Sequence, residues 1–135
     1  MRLFDILFLT GADAFFLVVL AVTGIKCSFE DIKTGRVRNK IIIRGLLLGL
    51  AGYLLLLAYS LLSHRLKIIY FRDVLFNISA SWLISYFIWY MGFWSAGDAK
   101  LFMLFSFLMP LEYYARPWPI PFFPSFIVLV NAFIV

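Results

Sequence analysis

Two aspartates carry the chemistry this sequence offers. Asp98 stands in Trp94-Ser95-Ala96-Gly97-Asp98-Ala99-Lys100, directly after a glycine and between two strongly apolar stretches. Asp31 stands well upstream, in Glu30-Asp31-Ile32-Lys33-Thr34-Gly35-Arg36-Val37-Arg38-Asn39. A charge at the edge of a membrane segment is costly, which makes such a residue a functional candidate. Two carboxylates sharing one site cannot both ionise cheaply, so the pair can hold a single proton. The ionised member then deprotonates a water, and the protonated member donates to a substrate carbonyl. That is amide hydrolysis of the aspartic-protease type, with no metal and no covalent intermediate. Gly97 lets a substrate backbone come close. Lys33 and Lys100 each follow an aspartate by two residues, where they bias the pair toward ionisation or hold anionic lipid.

The rest of the chain has the composition of a scaffold in lipid. Of its 135 residues 64% are hydrophobic and 14% charged, with a mean hydropathy of +1.00. A soluble domain is nearer half apolar and a quarter charged. The aromatic share of 20% fits as well, because Trp and Tyr collect at membrane interfaces. The net charge of +5 does not point to nucleic acid. The basic residues lie beside apolar runs, where retention at the cytoplasmic face explains them. Cys27 is the only cysteine. It reads as a small packing residue, with no internal disulfide or Cys-rich metal site available to it. The lone His64 adds no metal site.

Taken in order, the chain predicts an all-α polytopic membrane protein. A first transmembrane helix covers about residues 8 to 30. Asp5, Asp13 and the lack of a small-residue cleavage site argue against a cleaved signal peptide. Lys26 to Arg44 is the densest basic stretch, punctuated by a turn at Thr34-Gly35. The positive-inside rule makes it cytoplasmic and puts the N-terminus outside. Ile41–Leu62 is the clearest membrane helix, its roughly 22 residues spanning ~33 Å. Gly45 and Gly49 form a G-x-x-x-G with Gly52 nearby, a face that admits a neighbouring helix closely. Ser63–Asp73 reads as a polar outside connection. Val74–Trp94 reads as a third helix whose Asn77, Ser81 and Ser85 make a polar stripe, best taken as packing hydrogen bonds.

The fourth apolar run, Leu101–Leu111, is short, and lengthening it brings Asp98 inside the membrane boundary. Tyr113, Tyr114 and Trp118 suit an external aromatic belt. Pro117, Pro119, Pro121 and Pro124 make a stiff loop. Phe122–Val135 is too short to cross, so the expectation is about four full transmembrane helices plus an incomplete fifth. Residues 1–135 then form a single membrane-embedded domain, truncated at its C-terminus. Two helices separate Asp31 from Asp98, so both acids emerge at the same face.

Each acid also has a plainer reading. Ser95-x-x-Asp98 ahead of an apolar run is a capping box. Asp31 suits a solvated loop acid among basic neighbours. Glu30 is solvated or a loose partner of Lys26, four residues earlier. Lys33, Arg36, Arg38 and Lys40 suit lipid-headgroup anchors.

Asp31-Ile32-Lys33-x-x-x-Val37-x-Asn39, followed by x-Gly97-Asp98-x-Lys100-Leu101, resembles the type IV prepilin peptidase family, including the archaeal preflagellin peptidases. Pro121-Phe122-Phe123-Pro124-Ser125-Phe126 and Asn131 are similar to the next helix of the archaeal members. These are polytopic aspartic proteases with a G-x-G-D motif. The resemblance covers most of the chain. It implies Asp31 and Asp98 as the catalytic pair, Gly97 as the second glycine of the motif, and Ser95, Lys33, Lys100 and Asn39 as site-shaping residues. Ser95 replaces the first glycine and keeps the space small. Arg38 stands where proline often precedes the asparagine. The Cys-rich insertion of many bacterial members is absent, which implies no zinc or other cofactor, no N-methylation, and the shorter archaeal type.

The implied substrates are positively charged leader peptides of prepilin- or archaellin-like precursors, cut at the cytoplasmic face of the cell membrane. Membrane lipids are the other implied partners, and nucleic acid is not one. Presenilin-like proteases share G-x-G-D, but their Tyr-Asp pair does not match Glu30-Asp31-Ile32-Lys33. A non-enzymatic membrane subunit, or a small transporter binding protons or cations through the same acids, is the alternative of another class.

Overall fold

A computed structural model of the chain describes residues 3–63 and 68–109, with side chains at 10–62 and 70–109. His64, the expected aromatic belt, the proline-rich loop and the incomplete fifth helix lie outside the described residues. The described residues form four helices: α1 (Leu3–Thr34), α2 (Asn39–Ser63), α3 (Ile68–Tyr90) and α4 (Ala96–Leu108). There is no strand among the described residues, as the apolar runs predict.

α1 runs further than the charge pattern suggests. The stretch from Lys26 to Thr34 is helical, so only residues 35–38 connect α1 to α2. What stops α1 is Gly35, at φ 62°. Its N–H donates to the Asp31 carbonyl at 2.7 Å, the single bond of a left-handed helix cap. Asp31 therefore sits in the last turn of a helix and is not a loop acid.

α3 begins six residues before the expected Val74 and takes up Ile68–Asp73 of the expected polar connection. Helical periodicity accounts for this. Tyr70, Val74, Asn77, Ser81 and Ser85 are all buried, on one continuous face. α3 ends at Tyr90, earlier than expected, in a Schellman motif. Gly92, at φ 78°, donates to the Trp89 carbonyl at 2.9 Å, and Phe93 donates to that of Ile88 at 3.1 Å.

α4 packs against each of the other three helices. Its Leu104 and Leu108 join Phe16, Cys27, Ile42 and Leu56 in the core. The glycines of α2 make this closeness possible. A methyl group at Gly49 would lie 2.6 Å from Leu108 Cδ2, and one at Gly45 would lie 3.0 Å from Leu104 Cδ1. At Gly52 it would meet Phe16 Cζ at 2.9 Å. The G-x-x-x-G face is thus an internal contact with α4 and α1.

Among the described residues two stretches are long and apolar enough to cross a bilayer: Thr10–Thr34 of α1 and Asn39–Leu62 of α2. Only 22% and 28% of them is buried within the chain. A core helix of a soluble protein would be mostly covered. Here Leu47, Leu55 and Leu83 are each at least 60% exposed. Such a surface belongs in lipid and marks a membrane protein. α4, with 13 residues, spans only ~20 Å.

Candidate active site

Asp31 closes α1 and Asp98 opens α4, at the same end of the bundle. Two contacts join the segments that carry them. Lys100 Nζ donates to Asn39 Oδ1 at 2.9 Å. Gly97 lies over Val37, so that a Cβ there would sit 3.4 Å from Val37 Cγ2. The short turn after Asp31 is thereby held against the first turns of α4. Both carboxylates are exposed to water at this end. They do not hydrogen-bond each other.

Their surroundings differ. Ser95 caps α4, and the box predicted from Ser-x-x-Asp is complete. The Ser95 hydroxyl accepts from the Asp98 N–H at 3.2 Å and donates to Asp98 Oδ2 at 2.7 Å. The Ser95 N–H reaches the same Oδ2 at 3.3 Å. Asp98 Oδ1 takes no bond from the described residues. A negative charge here meets the positive end of a helix dipole. Asp31 has the opposite setting. It lies at the negative end of α1, and its carboxylate makes no hydrogen bond or ion pair among the described residues.

Glu30 braces the turn between the two helices. Its Oε1 lies 3.5 Å from Arg38 Nε, and its Oε2 accepts from the Arg38 N–H at 3.3 Å. Arg38, and not Lys26, is therefore its partner, because the chain folds back over the end of α1 and delivers two donors at once. The pair is partly exposed, so its effect is mainly on the path of the turn. Lys33 is exposed and lies about 200° around α1 from Asp31, counting ~100° per residue. It lines a neighbouring basic cavity with Lys26, Arg38 and Arg44.

The register of Asp98 is set from the buried side of α4. Three side chains from the neighbouring helices donate to carbonyls one turn apart. Ser85 Oγ reaches Ala99 at 2.8 Å, Trp82 Nε1 reaches Met103 at 3.1 Å, and Tyr53 Oη reaches Phe107 at 2.9 Å. The last bond also serves one of the carbonyls left open in the final turn. Ser85 belongs to the polar stripe read from sequence. Tyr53 and Trp82 carry no such signal, because an aromatic in an apolar run looks like any other lipid-facing or core residue.

Beside the Lys100–Asn39 bond a cavity of about 320 Å³ runs between α2, α3 and α4. Asn39 and Lys100 line its polar part, and Ile42, Leu46, Trp82 and Met103 its apolar part. Among the described residues no group of His, Cys, Asp and Glu is placed to hold a metal ion.

The arrangement offers two water-exposed carboxylates at one end of a membrane bundle, one capped and one unpaired, next to a cleft that is polar at one end and apolar along its walls. The model of the type IV leader peptidase family matches residues 14–135, which takes in both acids and the turn between α1 and α2. No curated protein matches the chain, and no solved structure does. A match over nearly the whole length, with both acid motifs inside it, decides the assignment: this chain belongs to the type IV leader peptidase family.

Proposed function

We propose that the protein is a multi-pass membrane aspartic endopeptidase of the cell membrane that removes the positively charged leader from prepilin- or archaellin-like precursors at the cytoplasmic face. Asp31 and Asp98 form its dyad. The observation that carries this reading is the junction of the two acid segments. The Lys100–Asn39 bond and the Gly97–Val37 contact hold together two stretches some sixty residues apart in sequence.

In this mechanism Asp98 serves as the base. Its charge is compensated by Ser95 and by the N-terminus of α4, and its free Oδ1 takes a proton from the attacking water. Once the two carboxylates share a site, Asp31 holds their common proton and donates it to the scissile carbonyl oxygen. Water adds to the carbonyl carbon, and the resulting diol collapses as the leaving amine takes a proton from the dyad. The carboxylates draw together when substrate binds between them, since catalytic hydrogen bonds often tighten only in the complex.

Gly97 leaves room for the substrate backbone. Ser95 fixes the Asp98 carboxylate, and Lys100 and Asn39 fix the mouth of the cleft. Lys33 acts at the rim, toward lipid. The basic residues of the leader are drawn to the acids, and apolar side chains beside the scissile bond enter the cleft lined by Ile42, Leu46 and Trp82. The reading requires neither metal nor cofactor.

The test is co-expression of the protein with a tagged prepilin or archaellin precursor. Asp31→Asn and Asp98→Asn should each abolish the mobility shift of the precursor at unchanged protein level. Processing that survives either substitution removes the dyad.

A further inference from the structure

We infer that the basic cavity between the end of α1 and the start of α2 is a binding site for the phosphate of an anionic lipid headgroup. Lys26, Lys33, Arg38 and Arg44 converge on a space of about 460 Å³ that contains one carboxylate, Glu30. That carboxylate is already engaged by Arg38. Lys26, Lys33 and Arg44 make no hydrogen bond or ion pair among the described residues. Cations gathered this way repel one another, and an anion in their midst relieves the repulsion. Arg38 and Arg44 suit a phosphate in particular, because a guanidinium can grip two of its oxygens at once.

The position selects a lipid over a soluble anion. The cavity lies at the shared end of the two helices that are long and apolar enough to cross a bilayer, which is where headgroups lie. Lys26 is about 10 Å back along α1 from Lys33, toward the membrane-crossing part, and still within reach of the interface for a side chain that snorkels. Phe29 and Ile41 form the apolar part of the cavity. Phe29 also lines an adjoining groove with Ile25 and Ile32 on the exposed side of α1. A headgroup in the cavity would thus place its acyl chain along an apolar surface. The site is separate from the acids, since Asp31 lies about 140° around α1 from Lys26. Its charge repels a basic leader peptide, so it is not a second subsite for the substrate. The inference does not depend on the dyad.

The test is native mass spectrometry of the purified full chain, released from detergent containing defined lipid. The probes are phosphatidylglycerol, phosphatidylcholine and inorganic phosphate. Wild type should retain phosphatidylglycerol in preference to phosphatidylcholine, and millimolar inorganic phosphate should not displace it. Lys26→Gln with Lys33→Gln and Arg44→Gln should lower retention about tenfold or more, because each interfacial charge contributes substantially. Lys26→Arg with Lys33→Arg keeps the charge and the Arg44 guanidinium and should keep the lipid, which separates loss of the site from loss of the fold. Arg36→Gln with Lys40→Gln removes two charges of the same basic stretch that do not line the cavity, and should lower retention much less than the triple substitution does. Equal loss in that control pair would mean a diffuse basic band and overturn the site. Displacement by inorganic phosphate would assign the cavity to a soluble anion and overturn the lipid.

Discussion

Asp31 and Asp98 stand at opposite kinds of helix end. Asp98 is in the first turn of α4, where three bonds with Ser95 close a capping box on its carboxylate and N–H. Asp31 is in the last turn of α1, where the Gly35 N–H donates to its backbone carbonyl and its carboxylate takes no bond from the described residues. A carboxylate at a helix N-terminus is stabilised and one at a C-terminus is destabilised, by about 0.3–1 kcal/mol each when exposed. Asp98 therefore contributes to the fold as well as to the proposed chemistry. Asp31 contributes little to the fold.

The sharpest way to break this contrast is to neutralise each acid in turn. In the precursor-processing assay both Asp31→Asn and Asp98→Asn should lower turnover by at least about 1000-fold, within the range of a lost acid or base. A large difference between the two would end the symmetry of the dyad. Gly49→Ala and Gly97→Ala set a packing glycine against a site glycine. The former should destabilise the bundle by about 1–3 kcal/mol through overpacking against Leu108 and Phe107, read as earlier unfolding in a denaturant titration. The latter meets only ordinary contact with Val37 and Ser95. It should keep stability, and even gain up to about 1 kcal/mol of helix propensity. Its turnover should nonetheless fall about tenfold if substrate backbone passes over this position. Unchanged turnover would remove Gly97 from the substrate path.

Smaller effects test the cap itself. Ser95→Ala should cost about 1 kcal/mol of stability and loosen the Asp98 carboxylate, lowering turnover without abolishing it. The smallest effect is the most telling for the comparison. In the same titrations, Asp98→Asn should lose a few tenths of a kcal/mol, and Asp31→Asn should be neutral or gain a similar amount. Equal losses would mean that Asp31 has a structural role after all.

Much of this was legible locally. The all-helical class follows from the apolar runs, and the capping box from the spacing of Ser95 and Asp98. The meeting of the two acid segments at one end follows from counting the helices between them. The misread boundaries have a common cause. Lys26 to Thr34 is rich in charge, and Ile68 to Asp73 lies in a polar neighbourhood, yet both are helical. A helix excludes charge only from its buried or lipid-facing stripe, and not from its end turns. The partner of Glu30 was misread for a related reason, since Arg38 reaches it only because the chain reverses at Gly35.

By itself, the sequence determined the all-helical class, the membrane setting and the family, and it singled out the two acids as candidates. Each of these depends on residue types and on spacings of a few positions. Only the tertiary structure decided which carbonyls of α4 receive Ser85, Trp82 and Tyr53, and that Lys100 reaches Asn39 across 61 residues. It also decided that Gly45 and Gly49 face α4 and not a second copy of the chain. Those contacts depend on how far each helix is shifted and rotated against its neighbours. That is settled by the packing of all four together, and no single stretch of the chain contains it.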